Sequence, residues 1–180
     1  MKAVHRMALT AGVIFLSVGT IVGLDPAFAA GGGSSGGATP ACPKGQVYSP
    51  SKKKCVKQHS EVVPDDALTD YAFALAREKR FDEALEVLDQ VQNPNTAKAL
   101  NYRGYITRKL GRTEEGIGYY LKSVAMDPHY VQVREYLGEA YVSQGKLDLA
   151  KEQLNVIQTL CGTVCEEYLD LSEAITTASN

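Results

Sequence analysis

One spacing constrains this chain more than any other feature in it. Gly104 recurs as Gly138, Gly111 as Gly145 and Pro94 as Pro128, each pair 34 residues apart. Ala84, Gly116 and Ala150 add a third register, with steps of 32 and 34. Self-similarity at this period marks a helical repeat array, in which each unit buries its apolar face against its neighbours. It predicts an all-α solenoid, a shape that serves as a scaffold for holding another molecule.

The hydrophobic pattern supports this helix by helix. Behind the acidic start Pro64-Asp65-Asp66, the residues Leu68, Tyr71, Ala72 and Leu75 fall at i, i+3, i+4, i+7. Phe81, Ala84, Leu85, Leu88 and Val91 form the next stripe, stopped by Pro94. The phrase returns with Leu100, Gly104 and Leu110 up to Gly111, then Ile117, Tyr120, Leu121 and Val124 up to Asp127-Pro128. It returns again with Val133, Leu137, Gly138, Ala140 and Tyr141 up to Gly145, then Leu147, Ala150, Leu154 and Ile157 up to Cys161-Gly162. Cys165 to Ile175 reads as one more amphipathic helix, with Thr163 as N-cap and Glu166 completing a capping box. An array needs such a polar-faced cap.

These phrases resemble the tetratricopeptide repeat family of helix–turn–helix units, in the form found in exported bacterial proteins. The matching residues are Tyr71-Ala72, Leu75, Phe81, Ala84 and Leu88 in a first unit, 65–96. They are Gly104, Gly111, Tyr120 and Asp127-Pro128 in a second, 97–130, and Leu137-Gly138, Tyr141, Gly145, Leu147, Ala150 and Leu154 in a third, 131–162. A capping helix and tail, 163–180, complete the domain. The resemblance implies that small residues at 72, 104 and 138 let the first helix of each pair approach its partner, that those at 84, 116 and 150 do the same from the second helix, and that Gly111 and Gly145 end the first helices in left-handed turns. There are departures. Lys79 stands where the first unit should have its turn glycine, and Arg103 and Thr107 take positions that are usually apolar. Gly116 and Gly118 lie inside one helix, at a cost of ~1 kcal/mol each relative to Ala. The second unit is therefore expected to be the least stable, unless Arg103 faces something specific.

The resemblance also implies a concave groove, lined by the first helix of each pair, that binds an extended peptide or a partner's helix. Carried over position by position, that face holds Thr69, Phe73, Ala76 and Arg77, then Lys98, Asn101, Tyr105, Arg108 and Lys109, then Gln132, Glu135, Glu139, Val142 and Ser143. Its middle is basic and aromatic, suited to peptide backbone and an acidic side chain. The family's clamp for a C-terminal carboxylate is not expected, because Gln132 and Tyr136 stand where its third-unit Lys and Arg would be.

Ahead of the repeats the chain changes character. Lys2 and Arg6, the apolar run Ala8 to Leu24 and the small residues of Ala27-Phe28-Ala29 read as a signal peptide, 1–29, with an uncleaved anchor as the alternative. After cleavage no stable membrane span remains. A Gly/Ser-rich linker, 30–41, follows. Residues 42–57 form a basic, Cys-bounded hairpin, and 58–64 a second linker. Residues 42–58 hold five lysines (44, 52, 53, 54, 57) and no acid, whereas from His59 onward there are 12 basic and 20 acidic residues.

Export makes the four cysteines candidates for disulfides, and places the protein in the periplasm or outside the cell. Four cysteines allow three pairings; the sequence separates them into a near pair, Cys42 and Cys55, and a nearer pair, Cys161 and Cys165. A Cys42–Cys55 bridge would close a loop of ~14 residues, worth roughly 3 kcal/mol. The hairpin's Cys-Pro-x-Gly-x-Val-Tyr phrase also resembles part of a peritrophin-type chitin-binding module, with Tyr48 its one aromatic.

Catalytic chemistry finds little support. His5 lies in the signal, His59 in a linker and His129 at a repeat junction, with no Ser/His/Asp order, P-loop or dinucleotide fingerprint. No metal or other cofactor is implied, and the acidic repeats of an exported chain argue against nucleic acid. Three readings stand at this point. The protein is an adaptor that binds a partner protein or peptide in the cell envelope; or residues 42–57 hold a polysaccharide or anionic polymer; or the chain self-associates as a structural protein.

Overall fold

The structure is a computed structural model and describes residues 39–58 and 62–180. The signal peptide, most of the Gly/Ser linker and His59 lie outside the described residues. Among these, the chain forms a two-stranded hairpin followed by helices in three pairs and a final single helix. The strands are β1 (Gln46–Ser49) and β2 (Lys54–Lys57), antiparallel, with Val47 opposite Val56 and Tyr48 opposite Cys55. The pairs are α1 (Asp65–Arg77) with α2 (Phe81–Leu88), α3 (Ala97–Lys109) with α4 (Thr113–Met126), and α5 (Val131–Ser143) with α6 (Leu147–Cys161). The last helix is α7 (Glu166–Ala178). Both disulfides pair near neighbours, Cys42–Cys55 and Cys161–Cys165.

The turns inside the pairs are built alike. The amide of Arg80 donates to Leu75 O, that of Arg112 to Thr107 O and that of Lys146 to Tyr141 O, at 3.0, 3.1 and 2.9 Å. This is the 6→1 bond of a Schellman ending, which needs a left-handed residue just before it. Gly111 (φ 84°) and Gly145 (φ 70°) supply it, and in the first unit Lys79 takes the same conformation at φ 61°. The missing glycine therefore does not change the turn; a lysine is held where an L-residue is disfavoured.

The core runs along the array in three clusters. Tyr71, Leu75, Val87 and Leu88 of the first pair pack with Cys42 and Val47 of the hairpin and reach Ile106 of α3. Ile117 and Tyr120 of α4 pack with Val133, Leu137 and Ala140 of α5, and Ala150 and Ile157 of α6 with Leu171 and Ile175 of α7. Contacts thus pass from neighbour to neighbour, as a solenoid requires.

Of four local expectations, the close approach at Gly116 and a specific partner for Arg103 are met, that for Gly138 extends to a second helix, and that for Thr163 changes. A Cβ at Gly116 would lie 2.8 Å from the Gly104 carbonyl oxygen, so Gly116 permits the contact between α3 and α4, whereas Gly118 has open space around it. At Gly138 the nearest atoms belong to the capping helix: a Cβ there would meet Leu171 of α7 at 2.5 Å, so this glycine also admits α7. Arg103 faces Asp89, with Nη2 2.8 Å from its carboxylate, and ties the second unit back to the first. Thr163 is not a cap. α7 starts at Glu166 with Cys165 in the capping position and no side-chain cap, because the Cys161–Cys165 bridge and Gly162 (φ 83°) shape that turn instead.

The hairpin is docked on the first pair. The Tyr71 hydroxyl accepts from the Cys42 amide (3.1 Å) and donates to Gln46 O (3.0 Å), while Arg80 donates to Cys42 O and forks onto Glu83 (3.0 and 2.7 Å). A hairpin this short is marginal alone. Here it closes the N-terminal end of the array. Tyr48 packs half-buried against the same cluster, so the aromatic that carbohydrate stacking would require serves the core.

Candidate functional site

The face in question is made by α1, α3 and α5, the first helix of each pair. Its most continuous feature is aromatic. Phe73 stacks on Tyr102 (centroids 4.3 Å, planes 8° apart) and meets Tyr105 edge-on at 5.7 Å. Tyr105 continues to Tyr136 at 5.2 Å, and Tyr136 to Tyr120 at 6.3 Å. Phe73, Tyr105 and Tyr136 keep part of their surface in solvent, and each comes from a different helix. Large rings with partial exposure are the usual anchors of a protein contact.

The expected charges are brought to this face, but most are already answered. Lys98 lies against Asp66 (2.8 Å) and Asp70 of α1. Burial lowers its ammonium's pKa, but hydrogen bonds to these two carboxylates outweigh that and hold it above its usual range. Arg108 lies 2.7 Å from Glu139 and its Nε donates to the Tyr120 hydroxyl at 3.4 Å. Burial works against its charge, and Tyr120 and Glu139 more than offset it. Lys109 is exposed, with its ammonium 5.3 Å from the Tyr105 ring centroid, a cation–π distance. Arg77 is exposed and has no ion-pair partner among the described residues.

Asn101 is fully buried, with Nδ2 donating to the Tyr130 hydroxyl and to Gln132 Oε1, both at 3.1 Å. Its Oδ1 has no hydrogen-bond partner among the described residues. Glu135 is buried as well, and burial, reinforced by Glu139 and by Asp170, Glu167 and Glu166 of α7, pushes its carboxyl up to about 8. At the N-terminal ends of α1 and α3 there is a cleft of about 350 Å³ bounded by Asp65, Asp66, Thr69 and Lys98. The Asp65 carboxylate there accepts the amides of Gln92 and Asn93 at 2.9 and 2.8 Å.

The structure therefore gathers Lys98, Asn101, Tyr105, Arg108, Glu135 and Glu139 along one row of helices, with Arg77 and Lys109 at its edge. Tyr102 and Tyr130 were missed. Tyr102 and Tyr136 are 34 residues apart, so the repeat spacing applied to aromatics would have found the row. A metal site is not built from Cys161, Cys165 and Glu167, although their ligand atoms cluster within 4.8 Å. The two sulfurs are joined to each other, and a metal takes thiolates.

Paired helices stacked in phase, with an aromatic and polar face along the first helix of each pair, define a helical-repeat binding scaffold. The tetratricopeptide repeat family model matches residues 97–130, which is the second of the three helical pairs. A comparison with curated protein sequences gives no match. Among solved structures it is similar to the type III secretion translocator chaperone SycD of Yersinia enterocolitica, in an alternative dimer, at 18% identity and a TM-score of 0.53, covering 63% of this chain and 87% of that one. A second SycD structure matches at 19% identity and a TM-score of 0.52, covering 63% and 85%. A third holds SycD in complex with a peptide of the translocator YopD, at 18% identity and a TM-score of 0.53, covering 63% and 87%. At this identity the likeness is one of fold.

Proposed function

We propose that this protein is an exported scaffold whose α1–α3–α5 face holds a peptide or helix of a partner protein, in the assembly or maintenance of the cell envelope. The observation that carries the reading is the aromatic row Phe73–Tyr102–Tyr105–Tyr136, which crosses all three helices with Tyr102 buried and Phe73, Tyr105 and Tyr136 partly in solvent. A side-chain row of this kind is costly to leave in water and anchors an apolar partner surface. The peptide complex of the structurally similar SycD supports the use of such a fold for peptide capture. Export is supported by the charged and apolar pattern of residues 1–29 and by two disulfides, which persist in oxidising compartments.

The test is site-specific photo-crosslinking in the native cell, with the reactive group at position 105 or at position 122 on α4. The expected outcome is one defined adduct from 105 and none from 122. Equal labelling from both positions, or none, would remove the face assignment. Mass spectrometry of the cell-envelope fraction tests export, with a mature chain starting at Ala30 as the expected result.

A further inference from the structure

Three equivalent positions on α1, α3 and α5, separated by 32 and 34 residues, carry buried polar side chains: Thr69, Asn101 and Glu135. The first two find hydrogen-bond partners within the chain. Thr69 Oγ1 donates to Asp65 O at 2.7 Å, and Asn101 Nδ2 donates to Tyr130 and Gln132 at the start of the next unit. Thirty-four residues beyond Tyr130 and Gln132 stand Val164 and Glu166. The same register thus offers Glu135 an apolar side chain and a second carboxylate, neither of which can donate.

Glu135 is 7% exposed and has no hydrogen bond or ion pair with any described residue. The groups that bear on it are Glu139 on its own helix and Asp170, Glu167 and Glu166 on α7. Arg108 of α3 ends on Glu139 and leaves Glu135 unanswered. A buried carboxylate without a countercharge is unfavourable, and a cation supplied from outside removes that cost.

We propose that the junction of α5 and α7 is a socket for a basic side chain, so that the segment this face binds carries a Lys or Arg at that point. This rests on the reading of the face as a peptide site and reverses the charge expected of its ligand. Lys98 and Arg108, which the sequence offers to an acidic side chain, are neutralised by Asp66, Asp70 and Glu139; Arg77 and Lys109 stay exposed at the edge, and the buried group left without a partner is a carboxyl.

The experiment selects short random peptides displayed on phage against the immobilised full chain. Synthetic labelled versions of the selected peptides are then titrated by fluorescence anisotropy. We expect a shared Lys or Arg position, and replacement of that Lys by norleucine should weaken binding to the wild-type chain about tenfold. On Glu135→Gln the Lys and norleucine peptides should bind alike. The cation needs the carboxylate form, so affinity for the Lys peptide should rise with pH towards about 8 on the wild type and stay flat on Glu135→Gln. Tyr105→Ala should weaken every selected peptide. Peptides that need Tyr105 but share no basic position, or lose as much from norleucine on Glu135→Gln as on the wild type, overturn the socket and leave the peptide site standing. Absence of any peptide sensitive to Tyr105→Ala overturns both. Thermal unfolding of each variant confirms that the fold is kept.

Discussion

The two ends of the array are closed by different means. At the N-terminal end a hairpin is held through its backbone: Tyr71 serves both an amide and a carbonyl of the hairpin, Arg80 serves the Cys42 carbonyl, and few polar groups are left over. At the C-terminal end α7 stands where the first helix of a fourth unit would, and it is held by apolar contact. Leu171 fits against Gly138, Ile175 packs beside it, and the disulfide pins the turn. That second closure covers the apolar face of α5 and α6 but brings Glu166, Glu167 and Asp170 towards a carboxylate already buried on α5. A polar closure can satisfy what it covers. An apolar closure that keeps its own acidic first turn leaves a carboxyl unpaired, on the face proposed to bind a partner.

The sharpest way to break this comparison is Leu171→Ala. Leu171 is fully buried, so truncation should cost about 3 kcal/mol, from lost burial and the cavity beside Gly138. Because contacts pass only between neighbours, the loss should be local. Hydrogen exchange is expected to speed up in α7 and α6 while α1 and α2 stay protected. Uniform loss of protection would mean that the two ends do not fold as separable units.

The stranded carboxyl makes the C-terminal end sensitive to pH. Glu135 is raised from its ordinary 4.5 to about 8, so the folded chain keeps a proton that the unfolded chain loses. Stability from this group is fully present below about 4.5 and is lost as pH rises through about 8. A shift of this size is nominally worth several kcal/mol. The carboxyl can relieve part of it by turning towards solvent, so a loss on the order of 2 kcal/mol is expected across that window. Glu135→Gln should flatten the slope and raise the melting temperature at neutral pH. A wild-type curve that is already flat would sink the account.

Tyr71→Phe probes the other end. It leaves the ring in the core but removes the hydroxyl that the Cys42 amide and Gln46 carbonyl share. A loss of about 1–2 kcal/mol is expected, with no change in its pH dependence between about 4.5 and 8. The contrast with Glu135→Gln separates a closure made by satisfied hydrogen bonds from one that strands a charge.

These differences explain which parts of the molecule could be read from its residues. Helix periods, turn glycines and the close approach at Gly104 depend on neighbours in sequence or on one repeat step, and the 34-residue spacing exposes them. The aromatic row was equally legible, since Phe73 and Tyr105, and Tyr102 and Tyr136, stand at repeat intervals. The state of the charges was not. Lys98 and Arg108 are neutralised by carboxylates on other helices, and whether those carboxylates reach them depends on how the units are packed rather than on the residue types alone. The contact of Gly138 with Leu171 was hidden for the same reason, because α7 comes closer to α5 than the repeat pattern suggests.

The smallest effect returns to the first unit. Lys79 holds φ 61° at a turn where the other two units use glycine, and nothing in the turn's hydrogen bonds depends on its side chain. An L-residue in this conformation costs roughly 1–2 kcal/mol, while glycine adds unfolded-state entropy worth up to about 1 kcal/mol. Lys79→Gly should therefore stabilise the chain by about 0.5–1 kcal/mol. The gain should appear as slower exchange in α1 and α2, with α7 unchanged. If Lys79→Gly instead destabilises the chain, the lysine's aliphatic stem contributes packing that outweighs its backbone cost, and the first unit is closed by more than the hairpin and its hydrogen bonds.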